Sequence, residues 1–142
     1  MRIVLDTGIL VRANAKASGP ARLLFERVAA GGHHLILSPF LLEETARVLN
    51  YPRIQALYGL SPAEIEEHID LLTAVAEIVD PVPGEPVVMK DPHDDPVVYT
   101  AVAGSADVLC TLDRDFYDPG VIGFFRAHNI AVMGDVELLQ LL

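Results

Sequence analysis

The stretch KDPHDDPVVYTAVAGSADVLCTLDRDF, residues 90–116, predicts a helix followed by a buried strand, with carboxylates at the start of the helix and after the strand. Asp94-Asp95-Pro96 is typical of a helix start, and an apolar run follows it. Val108–Thr111 has the apolar character of a short buried strand, and Asp113 and Asp115 come soon after it. This helix–strand unit predicts an α/β fold with acidic residues at its junctions.

The rest of the chain repeats the alternation of strands and helices. Three more apolar runs predict strands, at Arg2–Leu5, Leu35–Leu37 and Ile130–Met133. Four segments carry helix signals: residues 20–30, the segment from Ser38-Pro39 to Tyr51-Pro52, residues 60–76 with the capping box Ser61-Pro62-Ala63-Glu64, and a leucine-rich end that Asp135 caps. The proline-rich residues 80–92 predict an irregular connector. Strands separated by helices predict a parallel sheet of about four to five strands with helices on both faces, and residues 1–142 as one α/β domain.

The composition is that of a packed globular domain rather than a disordered chain. Apolar residues make up 51% of the chain and charged residues 21%, with a mean hydropathy of +0.36. No apolar run approaches the ~18–20 residues that cross a membrane, and the start MRIVLD reaches an aspartate too early for a signal peptide. Cys110 is the only cysteine, which excludes a disulfide scaffold and a cysteine zinc site. We therefore expect a cytoplasmic protein without membrane association, with Cys110 in its core.

The charge is acidic overall but unevenly distributed. The chain has 10 basic and 20 acidic residues, a net charge of −10, whereas a purely electrostatic nucleic-acid binder should be basic. Residues 1–53 hold seven basic and four acidic residues, and residues 54–142 hold three basic and sixteen acidic residues. The first third could therefore face a polyanion, and the rest predicts a solvated surface or a cation site.

Carboxylates from four segments are predicted to meet at the carboxyl end of the sheet, where ligands of parallel sheets bind. They stand after the first strand, in the helix after the second strand, at the start of the helix before the third strand, and after the third strand: Asp6, Glu43 with Glu44, Asp94 with Asp95, and Asp113 with Asp115. Each one taken singly is explained as a helix cap, a turn cap or part of a solvated helix face. Together they would repel one another unless a hard cation such as Mg²⁺ or Mn²⁺ lay among them.

These residues carry a resemblance to the PIN domain family, in particular to its bacterial and archaeal toxin components related to VapC-type toxins. The similar stretches are IVLDTGIL at 3–10, LSPFLLEETARVL at 37–49, residues 90–116, and IAVMGDVELLQLL at 130–142. The resemblance implies a three-layer α/β/α sandwich and a Mg²⁺- or Mn²⁺-dependent ribonuclease that cleaves RNA with a metal-activated water. It also implies a cognate antitoxin protein as partner, and a homodimer.

The resemblance implies roles for individual residues. It gives Asp6, Glu44, Asp95 and Asp113 as catalytic and metal-binding residues, with Asp115 as an accessory metal ligand. Glu44, rather than Glu43, matches the helix glutamate of the family.

Other residues near the predicted site are candidates for positioning the substrate. Thr111 is the hydroxyl residue beside the acidic turn, and Thr7, Arg12 and Lys16 stand near the first aspartate. The family usually has Asn, Ser or Thr at the position of Gly8, so this chain lacks a polar side chain there.

Gly8 also bears on two alternatives. A catalytically weak or inactive PIN-like binding module would tolerate the loss of that side chain. A phosphatase of the haloacid-dehalogenase type would use Asp6 as nucleophile, but it typically needs a second aspartate where Gly8 stands.

Among the histidines only His93, beside Asp94, lies near the predicted site, and a surface role is expected for it.

Overall fold

The computed structural model describes residues 1–142 and contains a five-stranded sheet in which every strand pair is parallel. The strands are β1 (Arg2–Leu5), β2 (His34–Leu37), β3 (Glu77–Ile78), β4 (Val108–Cys110) and β5 (Ala131–Met133), in the spatial order β3-β2-β1-β4-β5. The central strand β1 pairs on both sides, with Val4 opposite Ile36 in β2 and Leu109 in β4. Its apolar run is fully buried, as expected for a central strand of a parallel sheet covered on both faces.

Eight α-helices and two short 3-10 helices flank the sheet. The α-helices are α1 (Thr7–Arg12), α2 (Pro20–Ala29), α3 (Pro39–Leu49), α4 (Pro52–Tyr58), α5 (Pro62–Val75), α6 (Asp95–Ala103), α7 (Pro119–Ala127) and α8 (Asp135–Leu141). The 3-10 helices span Pro92–Asp94 and Arg114–Tyr117. Helix α2 packs on α1, α8 and β2, and helix α6 packs on α3, β1 and β2. The predicted α/β fold, a parallel sheet flanked by helices, is confirmed.

The helix signals in the sequence act as predicted at several termini. The Ser61 side chain accepts a hydrogen bond from the Glu64 N–H, and the Glu64 carboxylate accepts one from the Ser61 N–H, so the capping box of α5 is formed. Gly104 ends α6 against Ile36, where a Cβ atom would collide with the isoleucine side chain. The prediction for Asp135 was wrong in detail, because Gly134 is the N-cap of α8 and Asp135 is its first helical residue.

Three of the elements that the sequence did not predict are short or weakly buried. Helix α1 has six residues, β3 has two exposed residues, and α4 buries none of its residues. Helix α7, which follows the acidic turn, was also not predicted.

No helix is both long and apolar enough to cross a membrane.

Candidate active site

A cavity of about 420 Å³ opens at the carboxyl ends of β1 and β4, beside the start of α1. We call it the acidic cavity. Its wall includes five carboxylates, two arginines and one histidine, and those charged or titratable residues are Asp6, Glu44, Asp91, Asp94, Asp113, Arg12, Arg47 and His93. The parallel sheet therefore brings together acidic residues that are up to 107 positions apart in the chain, at the edge where parallel sheets bind ligands.

Asp6 serves both the fold and the cavity. It is the N-cap of α1, and its carboxylate accepts hydrogen bonds from the Thr7 N–H at 2.8 Å and from the Thr111 hydroxyl at 2.7 Å. Burial raises the pKa of Asp6 above its ordinary value, and the charges of Asp113 and Glu44 act in the same direction, while the two hydrogen bonds oppose the shift. The cap explanation and the site prediction for Asp6 are therefore compatible.

Asp94 lies at the centre of the acidic cluster, by which we mean the carboxylates of the cavity together with Asp115. Burial, followed by the charges of Asp113, Asp91 and Asp6, raises the pKa of Asp94 to about 8. One of its carboxylate oxygens, Oδ2, is buried and has no hydrogen-bond partner. A buried carboxylate oxygen without a donor is costly, so this position favours either a proton or a cation.

Asp95 was predicted in the site, and the structure places it elsewhere. Its side chain is buried, and its Oδ1 atom accepts hydrogen bonds from the N–H groups of Val87 and Val88, at 3.0 and 2.8 Å. Asp95 does not line the acidic cavity. We call this contact the connector anchor, because it ties the irregular segment before α6 to the first turn of the helix. The position expected for Asp95 is occupied by Asp94.

The turn after β4 brings Asp113 to the cavity through a chain of hydrogen bonds. The buried Thr111 hydroxyl donates to Asp6 and accepts from the Asp113 N–H at 3.0 Å. Asp113 Oδ1 in turn accepts from the Asp115 N–H at 3.0 Å. One carboxylate oxygen each from Asp91, Asp94 and Asp115 lies within 4.8 Å of the others, so Asp115 also faces the acidic cluster.

The structure distinguishes the two glutamates of α3. Glu44 is partly buried and lines the cavity, where its carboxylate forms an ion pair with the guanidinium of Arg47 one turn later. Glu43 is exposed and does not line the cavity. The helical rotation of about 100° per residue thus directs only Glu44 towards the other carboxylates.

The predicted positioning residues lie at different distances from the cluster. Thr7, Gly8 and Arg12 line the cavity, whereas Lys16 forms an ion pair with Glu64 at 3.3 Å and lies outside it. A Cβ atom at Gly8 would meet nothing within 4 Å, so the fold itself does not require glycine there.

Sequence reasoning missed Asp91 and Arg47 and chose Asp95 over Asp94. The proximity of His93 was noted, and the histidine is exposed on the cavity wall. Within the sequence only the spacing of Asp94 three residues before Val97, which also lines the cavity, could have indicated a shared helix face. Nothing in the sequence indicates that Asp95 binds the connector.

The donor atoms of the acidic cavity suit a hard divalent cation. Every acidic group in it offers carboxylate oxygens, which Mg²⁺ and Mn²⁺ prefer. The unpartnered oxygen of Asp94 is an independent observation in favour of such a group. Cys110 offers no alternative ligand or nucleophile, because it is fully buried and burial raises the pKa of its thiol to about 12.

Comparisons with known proteins bear on the fold and the family of the chain. The fold is similar to a chain of the crystal structure of VapBC2 from Rickettsia felis bound to a DNA fragment from their promoter, with a TM-score of 0.56 and 17% sequence identity over 94% of this chain and 98% of that chain. At that identity the similarity concerns the fold alone. No curated protein matches the sequence significantly. A sequence model of the PIN domain matches residues 2–115, which is most of the length of this chain. The chain therefore belongs to the PIN domain family.

Proposed function

We propose that this PIN domain is a Mg²⁺- or Mn²⁺-dependent ribonuclease and the toxin of a toxin–antitoxin pair. One observation carries the proposal: carboxylates from separate segments line one cavity, and a carboxylate oxygen of Asp94 is buried there without a donor. Like charges gathered in this way are stabilised by a cation, and a cation at a strand end is a means of binding and activating a phosphodiester.

Four residues are proposed to hold the cation: Asp6, Glu44, Asp94 and Asp113. Asp91 and Asp115 lie beside Asp94 and add negative charge to the same place. When bound, the ion would lower the pKa of a water molecule and offset the negative charge of the phosphodiester. A net charge of −10 is then compatible with an RNA substrate, because a bound divalent ion reverses the local sign that a phosphate meets.

Two residues beside the four acids, Thr111 and Arg12, are proposed to bind and orient rather than to react. Thr111 holds the Asp6 carboxylate through its hydroxyl, and the same oxygen accepts the Asp113 N–H, so one side chain fixes both acids. Arg12 is the proposed contact for a substrate phosphate. The only thiol of the chain, Cys110, is buried in the core, so no cysteine nucleophile is part of the proposal.

The proposed partners are a single-stranded RNA substrate, an antitoxin protein and a second copy of this chain. The fold similarity to VapBC2 supports the antitoxin, and the homodimer rests on the resemblance to VapC-type toxins alone. A cytoplasmic location is part of the proposal, because it suits a free cysteine and an RNA substrate.

An inactive binding module is the second candidate, and Gly8 is the observation that favours it. The cavity wall at Gly8 presents no polar side chain, although the space for one is open. The phosphatase alternative loses its support, because the chain belongs to the PIN domain family and lacks the second aspartate.

The test is cleavage of single-stranded RNA with Mg²⁺ or Mn²⁺, with EDTA and with two matched variants of α3. We expect cleavage to require the metal and to be lost in Glu44→Gln. Glu43→Gln makes the same chemical change on the adjacent, exposed residue and should retain the parent rate. Cleavage that continues in EDTA would overturn the metal dependence. Metal-bound but inactive parent protein would favour the binding module.

A further inference from the structure

The two arginines of the acidic cavity differ in the partner that neutralises them. Arg47 pairs with Glu44, one of the proposed metal-binding residues. Arg12 pairs with Asp135 of α8, which does not line the cavity, through Nη1 and Oδ2 at 3.4 Å. The charge of Arg12 is therefore balanced from outside the acidic cluster, and the proposed metal ligands need not supply its counter-charge.

Asp135 is a buried carboxylate with a single ionic partner. Its side chain is 5% exposed, whereas that of Arg12 is 39% exposed. Oδ1 accepts the N–H of Val136 at 2.9 Å, and Oδ2 accepts a hydrogen bond only from the Arg12 guanidinium. Burying a carboxylate is unfavourable unless it is paired, so the pair holds Arg12 in place from the protein side.

Arg12 lines the cavity, and part of its guanidinium is not used within the chain. Nε donates to the Gly8 carbonyl at 3.2 Å and Nη1 contacts Asp135, and its other N–H groups have no partner within the chain. A guanidinium held on one side, with free donors on the other, is suited to a phosphate oxygen. Without Asp135, the same guanidinium would be drawn towards the carboxylates of the cavity.

Helix α8 does not depend on this ion pair for its place in the fold. Leu138 of α8 is fully buried in the main core, and α8 packs along α2. Arg27 of α2 also reaches the carbonyls of Leu139 and Leu142. Helix α8 is thus held by contacts that do not involve the Arg12–Asp135 pair.

We infer that Asp135 is a positioning residue, which holds the Arg12 guanidinium at the edge of the acidic cavity so that it contacts a phosphate of the RNA. The inference rests on the proposed function. The part of the chain that matches the PIN domain model ends at residue 115. Asp135 lies after it, in helix α8.

The first test measures the affinity of the full chain for a single-stranded RNA oligonucleotide, with Ca²⁺ in place of Mg²⁺ and a gel to verify that the RNA stays intact. Asp135→Asn should weaken binding about fivefold and Arg12→Ala about tenfold, and the double variant should be no weaker than Arg12→Ala. Loss of a negative charge alone would strengthen RNA binding, so a weaker affinity is diagnostic of a misplaced arginine. Glu137→Gln, an exposed acid on the same helix, is the matched control and should not weaken binding.

The salt dependence separates positioning from a general effect on the fold. Loss of one phosphate contact should lower the slope of log affinity against log salt by about 0.7 in Arg12→Ala, and by a similar amount in Asp135→Asn. Melting temperatures show whether each variant is folded, and Asp135→Ser, which keeps an acceptor at the helix start, replaces Asp135→Asn if the latter is not. Parent-like RNA affinity in a folded Asp135 variant, or an equal further loss in the Arg12→Ala background, would overturn the inference.

A second probe, inorganic phosphate bound to the Mn²⁺-loaded protein and followed by the broadening of its ³¹P signal, does not require RNA. If the parent binds phosphate but not RNA, and Asp135→Asn weakens phosphate binding, the ribonuclease proposal fails while the role of Asp135 stands. If RNA is bound and cleaved equally by parent and variant, the role of Asp135 fails while the ribonuclease stands. If the parent binds neither probe, both fail.

Discussion

Asp94 and Asp95 are adjacent and chemically identical, yet they belong to two different regions of the molecule. Asp94 lies in the acidic cavity with other carboxylates and has an oxygen without a donor. Asp95 lies in the connector anchor, where Oδ1 accepts two backbone N–H groups. Asp94 ends the 3-10 helix and Asp95 begins α6, so their side chains leave the backbone in different directions.

The comparison shows how surroundings decide what a carboxylate contributes. In the connector anchor, donors surround the charge, so Asp95 stabilises the fold by itself. In the acidic cavity, burial and neighbouring acids raise the pKa of Asp94 to about 8, so its charged form needs a cation. The first region satisfies its charge with backbone donors, and the second contains a carboxyl group that favours either a proton or a cation.

The largest expected effect is that of Asp94→Asn on metal affinity. We expect Mn²⁺ binding, measured by titration calorimetry, to weaken by about 100-fold or more, because a neutral amide is a poor ligand for a hard cation. Asp95→Asn is the matched control and should bind Mn²⁺ as the parent does, since its amide oxygen can still accept from the connector. The distinction between the two regions would be lost if both variants bound Mn²⁺ equally.

Asp95→Ala should produce the opposite pattern, a loss of stability without a loss of metal affinity. The substitution removes the acceptor of two backbone N–H groups, and Val88 is fully buried. We expect the free energy of unfolding, measured with urea, to fall by about 3 kcal/mol. The folded fraction should still bind Mn²⁺ with parent affinity. A decrease below ~1 kcal/mol would show that the connector anchor is not an important contact.

The acidic cavity should also make the metal-free protein less stable as the pH rises. The pKa of Asp94 is raised from about 3.8 in the unfolded chain to about 8 in the folded protein, so the folded state binds the proton more tightly between these values. The contribution of Asp94 to stability is therefore full below pH 4 and is lost as the pH rises through 8. Allowing for the partial exposure of Asp94, we expect a decline of about 1–2 kcal/mol.

Urea unfolding in EDTA from pH 4 to 9, on the parent and on Asp94→Asn, measures this decline. The variant has no carboxyl group to titrate there and should show a flatter profile, whereas Glu43→Gln should follow the parent. Identical profiles for the parent and Asp94→Asn would show that Asp94 does not carry the effect.

The smallest expected effect concerns Gly8, at the edge of the acidic cavity. Gly8→Ser should raise the stability by about 0.5 kcal/mol, because serine is a better helix former than glycine and the space is open. If the added hydroxyl contacts substrate, RNA cleavage should rise about threefold. Gly8→Ala separates the effect on helix stability from the effect of the hydroxyl. It should share the stability gain and leave the cleavage rate unchanged. Faster cleavage in Gly8→Ala would attribute the gain to the helix rather than to the hydroxyl.

Much of the fold could be predicted from local patterns. Apolar runs placed four strands within one residue of their observed starts, and the capping box placed the start of α5. Helices α1 and α4 and strand β3 were not predicted, because α1 has only six residues and α4 and β3 bury none of theirs. Such elements form because their neighbours hold them, and local sequence carries little signal of that.

The site could be predicted only in part. Asp6 follows β1 directly and Asp113 comes three residues after β4. The parallel sheet brings the ends of neighbouring strands together, so their convergence was predictable. Glu44 was distinguished from Glu43 by the resemblance, and the structure places Glu44 in the cavity. Asp95 was chosen over Asp94 on the same resemblance, and here the structure makes the opposite choice.

By itself, then, the sequence determined the parallel α/β architecture and the end of the sheet at which the acids gather. These follow from the periodicity of apolar residues, from the alternation of strands and helices, and from the places of the acidic residues after them, all of which can be read along the chain. The tertiary structure alone decided that Asp95 binds the connector, that Asp94 enters the cavity, and that Asp135 meets Arg12. Each of these depends on where a distant backbone or side chain lies, and a contact between segments 7 to 123 residues apart leaves no pattern in a single sequence.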